Sequence, residues 1–147
     1  MMQKITLIGL TALLVLLGSI QNINAQCKSF TKKRCLSELG DYSSNGQYNG
    51  AVMFQGEEAT LMQTFYSNQK YKLMICSQSS INESLFFEVK DYRNNLLYTS
   101  EGTGSNIFEF DVESTQQLKI RIVVPGDESG SQIKKNGCVS VIVGFQE

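Results

Sequence analysis

From Tyr48 onward apolar side chains recur at every second position, and a chain written that way folds into strands with one wet face. Ala59, Leu61 and Phe65 alternate with Thr60, Met62, Thr64 and Tyr66. Tyr71, Leu73 and Ile75 alternate with Lys70, Lys72, Met74 and Cys76. Leu85, Phe87 and Val89 keep the beat, as do Phe108, Phe110 and Val112, then Leu118, Ile120, Ile122 and Val124. The last run, 138–145, is apolar or small almost throughout and reads as a central strand covered on both faces.

Polar turn residues separate these runs. Ser67–Asn68–Gln69, Arg93–Asn94–Asn95 and Glu101–Gly102–Thr103–Gly104–Ser105 divide them, and 125–131 forms the longest polar loop. Seven or eight short strands so spaced predict an all-β chain, an antiparallel β-sandwich. A closed barrel is the alternative that alternation does not separate from it. The one helical candidate is TKKRCLSELG, Thr31 to Gly40, two turns ending at a glycine.

The first 25 residues read differently. Lys4 precedes an uncharged apolar run from Ile5 to Gly18, shorter than the roughly 20 residues that span a bilayer. A polar stretch then leads to Ala25, a small residue at a cleavage position, which is the layout of a secretory signal peptide. The expected organisation is a leader over 1–25, a cysteine-containing basic segment over 26–47 and a sandwich over 48–147. The mature chain would start at Gln26, carry no membrane span, and be secreted or periplasmic. Gln26 rather than a small residue precedes Cys27, which disfavours lipidation there.

All four cysteines fall after the leader, an even number in an exported chain, which favours disulfides. Four cysteines allow three pairings, and the sequence alone does not choose among them. The expected pairs are Cys76–Cys138, where one strand closes and another opens, and the local pair Cys27–Cys35. No two cysteines stand at the close spacing of a zinc site, so no metal is expected.

Charge and composition exclude several functions. Thirteen basic and 14 acidic residues leave no basic footprint for nucleic acid. The absence of His removes Ser-His-Asp and Cys-His nucleophile pairs and the HExxH metalloenzymes. Lys28, Lys32, Lys33 and Arg34 form a small basic cluster, read as a solvated segment. Glu109, Asp111 and Glu113 share one strand face at roughly 7 Å spacing, the range of an inverting glycosidase. A hairpin of 108–112 with 118–122, Phe110 opposite Ile120, accounts for them without chemistry. It sets Asp111 against Lys119 and Glu109 against Arg121.

The runs TFYSNQKYKLMICSQ (64–78), LFFEVKDYRNNLLYTS (85–100) and GCVSVIVGF (137–145) resemble bacterial secreted jelly-roll modules of the pre-peptidase C-terminal type. They resemble equally other small secreted bacterial β-sandwich proteins. The resemblance covers roughly residues 50–145 and implies an accessory, non-catalytic role, in some members binding carbohydrate or protein. The Asp-Gly turn usual in those modules is replaced here by Tyr92–Arg93–Asn94–Asn95.

The reading that results is an exported, non-catalytic, jelly-roll-like β-sandwich with a short N-terminal helical or loop segment, acting through surface or loop binding. A carbohydrate-binding module using exposed Tyr92 and neighbouring loop residues is the alternative, and a carboxylate-dependent hydrolase is third. No cofactor is expected, and the partner is an unidentified protein or glycan. Candidate binding residues are Tyr92, Arg93, Asn94 and Asn95 at one loop tip and Asp127 and Glu128 at another.

Overall fold

The computed structural model describes residues 23–81, 85–127 and 132–147. The expected leader, residues 1–22 of it, and Glu128 lie outside them. The expected cleavage point, after Ala25, falls inside the first helix, α1 (Ile23–Phe30). A π-type turn (Thr31–Cys35) and a 3-10 turn (Leu36–Leu39) continue it, and Gly40 ends the path at φ +63°. The helical segment thus starts earlier than the Thr31–Gly40 candidate and stops where that candidate stopped.

Nine strands follow among the described residues. They are β1 (Ser43–Ser44), β2 (Asn49–Phe54), β3 (Glu58–Phe65), β4 (Gln69–Ser77), β5 (Phe86–Lys90), β6 (Leu96–Thr99), β7 (Ile107–Val112), β8 (Gln116–Val123) and β9 (Asn136–Gln146). One sheet runs β1-β9-β4-β7, with β2 also paired to β9, and the other runs β3-β8-β5-β6. Every pairing is antiparallel, and four of them nest: β2 with β9, β3 with β8, β4 with β7, β5 with β6. A long hairpin folded over itself gives this order, which is the jelly roll, and the two sheets stay separate rather than closing into a barrel. Short β1 pairs with β9 from within the 26–47 segment, so that segment is built into the sandwich.

Alternation determines what each strand buries. Leu73 and Ile75 of β4, Phe87 and Val89 of β5, Leu118, Ile120 and Ile122 of β8, and Val139, Val141 and Val143 of β9 fill the space between the sheets. The opposite face of β9 presents Cys138, Ser140, Ile142 and Gly144, and the N-terminal segment lies across it as a strap. Its buried residues are Cys27, Thr31, Cys35 and Leu39, one every fourth position. An α-helix drifts about 40° over four residues. The wider π-type turn offsets that drift and keeps the stripe on the sheet. Thr31 Oγ1 donates to the Cys27 carbonyl (2.8 Å) and shares a hydrogen bond with Ser140 Oγ. The approach is close: a Cβ on Gly144 would stand 2.7 Å from Tyr42 Cβ, and one on Gly50 would stand 2.7 Å from Ser140 Oγ.

The strap corrects the expected disulfides. The bonds are Cys27–Cys138 and Cys35–Cys76, with Cα separations of 5.3 and 5.9 Å. Cys76 stands opposite Ser140, which leaves Cys138 on the diagonal. Diagonal Cα atoms are about 7–8 Å apart, too far to bridge, and the same holds for two helical cysteines eight residues apart, about 12 Å along the axis. Each sheet cysteine therefore takes a strap cysteine. Both bonds close long loops, 111 and 41 residues, worth about 5 and 4 kcal/mol on the chain-entropy estimate.

The charged strand faces pair as expected in kind, with different partners. β7 lies beside β4 and β8 beside β3 and β5, so the expected β7–β8 hairpin is absent. Phe110 faces Tyr71, Glu109 faces Lys72 and Asp111 faces Lys70. Glu109 lies 3.9 Å from both Lys70 and Lys72 and accepts a hydrogen bond from the Tyr42 hydroxyl. Arg121 bridges Glu58 of β3 and Glu88 of β5, while Lys119 donates to Asn94 Oδ1 at 2.6 Å.

The two long sides of the sandwich are closed differently. Between β6 and β7, Tyr98 stacks on Phe108 at 4.4 Å and Phe108 on Phe110 at 4.7 Å, with Phe87 against Tyr98. Between β2 and β3 the inward positions are Asn49, Ala51 and Met53 facing Ala59 and Leu61. Two of these five are alanines. That side stays open.

Candidate functional site

A jelly roll leaves β2 and β3 as the edges of their sheets, and small side chains along them leave space that larger ones would fill. Two adjacent hollows occupy this side. One is a slot of about 260 Å³ that reaches between the sheets, walled by Ala51, Met53, Ala59, Ile122, Val139 and Val141. The other is a cleft of about 980 Å³ between the β1–β2 loop and β3. They share Asn49 and Leu61 as lining residues, so the two lie side by side.

The β1–β2 loop that walls the cleft is ordered by its own side chains. Asn45 N–H donates to the Val143 carbonyl at 3.2 Å, and Asn45 Oδ1 accepts from Gln47 N–H at 3.0 Å. Gly46 supplies the φ of +76° that the turn requires. The Lys32 ammonium of the strap lies 5.6 Å from the centroid of the Tyr48 ring, tying the loop to the strap. On the other wall the buried Tyr71 hydroxyl accepts from Tyr66 N–H (2.9 Å) and donates to Gln69 Oε1 (2.7 Å). Tyr66 itself is 62% exposed, with its ring at the cleft.

The chemistry of this lining is uniform. Amides come from Asn45, Gln47, Asn49, Gln63 and Gln69, hydroxyls from Thr64, Tyr48 and Tyr66, and apolar surface from Leu61, Met62 and Phe145. No carboxylate, ammonium or guanidinium lines either hollow among the described residues. The side-chain amides of Gln47 and Asn49 and the hydroxyls of Tyr48 and Tyr66 have no hydrogen-bond partner among the described residues. An amide offers a donor and an acceptor in one plane, and a tyrosine offers a ring face and a hydroxyl. Such a surface offers hydrogen bonds and ring faces and no fixed charge.

The sequence-predicted residues lie elsewhere. Tyr92, Arg93, Asn94 and Asn95 form the tip between β5 and β6, where Asp91 caps the turn. Its Oδ1 accepts from the backbone N–H of Arg93 and Asn95 and its Oδ2 from the Asn95 side chain, at 2.8–2.9 Å. The Asn95 amide, with those backbone donors, holds the Asp91 carboxyl below its usual value. Asn94 adopts φ +64°, and its Oδ1 is taken by Lys119. The two asparagines thus serve the turn, leaving Tyr92, 72% exposed, with the Arg93 guanidinium 5.1 Å from its ring. Asp127 follows β8 at the opposite end of that strand, since Lys90 pairs Lys119 while Phe86 pairs Val123. One small ligand does not touch both loops. Among the described residues no cluster of three metal-ligating side chains occurs, and no helix is long and apolar enough to cross a membrane.

The cleft was not singled out by sequence reasoning, although Tyr66 was recognised as outward-facing. The signal available was the stretch SSNGQYNGA (43–51), a run of amide, hydroxyl and glycine residues spanning the expected boundary at 47/48.

No family model matches this chain, and no curated protein matches it. The resemblance to pre-peptidase C-terminal modules finds no support in these comparisons. Among solved structures the chain is similar to Aeromonas hydrophila PliG, a periplasmic lysozyme inhibitor of g-type lysozyme, with a TM-score of 0.49 and 10% identity over 72% of this chain and 89% of that one.

Proposed function

We propose that this chain is an exported, non-catalytic binding protein that holds a neutral saccharide in the cleft between the β1–β2 loop and β3. One observation carries the reading: a cleft of about 980 Å³ lined by amides, hydroxyls and three tyrosines, with no charged side chain among its lining residues. Its volume lies within the range of small-molecule sites. The lining offers hydrogen bonds and ring faces and lacks a general acid–base pair. Two disulfides fit the oxidising compartment that the leader-like N-terminus implies.

Titration of the disulfide-intact protein with uncharged oligosaccharides tests this. Tyr66→Ala weakens binding at least fivefold, a loss of about 1 kcal/mol, without shifting the melting curve. Tyr92→Ala leaves it unchanged. A second reading rests on the β5–β6 hairpin, where Tyr92, Leu96 and Leu97 are all about half exposed or more. A protein partner docked on that tip would reverse the two outcomes, with loss on Tyr92→Ala and none on Tyr66→Ala.

A further inference from the structure

The slot behind the cleft has no part in holding a free sugar. Its walls are almost wholly apolar, formed by Met53, Leu61, Ile122, Val139 and Val141, and it borders the cleft at Asn49 and Leu61, the residues the two share. The opening follows from sequence: Ala51 and Ala59 face inward where the other side of the sandwich carries Tyr98 and Phe108. A volume of about 260 Å³ accommodates on the order of eight methylene-sized groups, taking roughly 30 Å³ for each. The slot lining carries no charge, as the cleft lining carries none, so the occupant needs no charge at its junction.

We infer that the slot takes the aliphatic chain of an amphiphile whose uncharged, hydroxyl-rich head sits in the cleft, that is, an alkyl or acyl glycoside. This rests on the cleft reading above and adds the second half of the ligand. A fatty acid fits less well, because its carboxylate would meet amides and tyrosines with no cation among the lining residues to pair it. Met53, Ile122, Val139 and Val141 of the slot belong to the core and Ala59 and Leu61 pack against it, so the alkyl chain would extend the core's own apolar surface.

The experiment is a calorimetric titration of the disulfide-intact protein with methyl, butyl, hexyl and octyl β-glucosides below their micellar concentrations, and with octanoate. Affinity rises two- to fourfold per added methylene and levels off near the slot's capacity. Octanoate binds at least tenfold more weakly than octyl glucoside. Ala59→Leu fills the slot: the chain-length dependence disappears, the affinity for methyl glucoside stays, and the melting temperature holds or rises. Ala51→Val makes the same test if the leucine does not fold. A flat chain-length series, or a slope that survives both substitutions, overturns the inference and leaves the cleft reading standing if uncharged oligosaccharides bind. Equal binding of octanoate and octyl glucoside overturns it as well. Failure of oligosaccharides and glucosides alike removes the cleft reading along with it.

Discussion

The two long sides of this sandwich are built from the same kind of edge strand and end differently. On the β6–β7 side, stacked Tyr98, Phe108 and Phe110 close the gap between the sheets, and the Tyr98 hydroxyl donates to the Ile107 carbonyl at 3.1 Å. On the β2–β3 side, alanines at 51 and 59 leave a slot, and an amide-rich loop walls a cleft beside it. Aromatic pairs add about 0.5–1.5 kcal/mol beyond the area they bury. Ring stacking is thus concentrated on the β6–β7 side, with Phe65 of β3 reaching it edge-on to Phe110 at 5.1 Å. The open side gives up that packing and gains a concave, uncharged surface. On the proposed reading, stability and binding are divided between opposite sides of one core.

The largest test of this division acts on the strap. Replacing Cys27 and Cys138 together by alanine removes a cross-link across 111 residues and costs about 5 kcal/mol by chain entropy. The strap holds the open side through Lys32 on Tyr48 and through the Thr31–Ser140 hydrogen bond beside Gly50. Hydrogen exchange in the variant therefore speeds up in residues 45–52 before it does in 107–112. Uniform acceleration would contradict the division. Peptide mapping without reduction joins Cys27 to Cys138 and Cys35 to Cys76; a Cys76–Cys138 peptide would remove the strap from the account.

A somewhat smaller loss is expected on the closed side. Phe87 is fully buried against Tyr98, and Phe87→Ala costs about 4 kcal/mol in transfer and cavity terms, read by denaturant unfolding. Saccharide affinity of the folded fraction stays the same. If Phe87→Ala weakens binding in proportion to stability, the two sides are not independent.

How much of this was legible in the sequence follows from which interactions are local. Period-two alternation and turn residues identified the sheets, their inward faces and the doubly covered last strand, because those signals are written within each run. Strand partners were not legible. The β7–β8 hairpin was inferred from adjacency, but a jelly roll sends neighbouring strands to different sheets, and charges at 109, 111, 119 and 121 suit either register. The disulfides failed for the same reason: Cys27 and Cys35 lie on a four-residue stripe with Thr31 and Leu39, and their partners, Cys138 of β9 and Cys76 of β4, are 111 and 41 positions away. The cleft was hidden because its residues are ordinary. Alanines, asparagines and glutamines become a site only when the fold sets two edges side by side.

The smallest effect concerns how the open side's edge strand is held. β3 has little inter-sheet packing at Ala59, so its pairing with β8 and the Glu58–Arg121–Glu88 chain across β3, β8 and β5 carry more of the load. Glu88 is held below the usual carboxylate value, first by its hydrogen bond to Lys90 and then by Arg121, opposed by desolvation. Arg121 is shifted upward, mainly by Glu58, and stays charged throughout the acid range. A carboxyl depressed in the folded state binds its proton more readily when unfolded. Its contribution is therefore complete above the unfolded value and is lost as the pH falls through the folded one. The Glu88 side chain is 17% and the Arg121 side chain 33% exposed, so water still screens the pair and the expected size is about 1 kcal/mol. Glu88→Gln lowers stability by that amount at pH 7, and the difference from the parent vanishes as the pH falls below the folded value. The same substitution leaves hydrogen exchange in β6 and β7 unchanged and speeds it in β3. Equal acceleration on both sides would mean that the ion-pair chain supports the whole sheet, and the open side would then need no separate support.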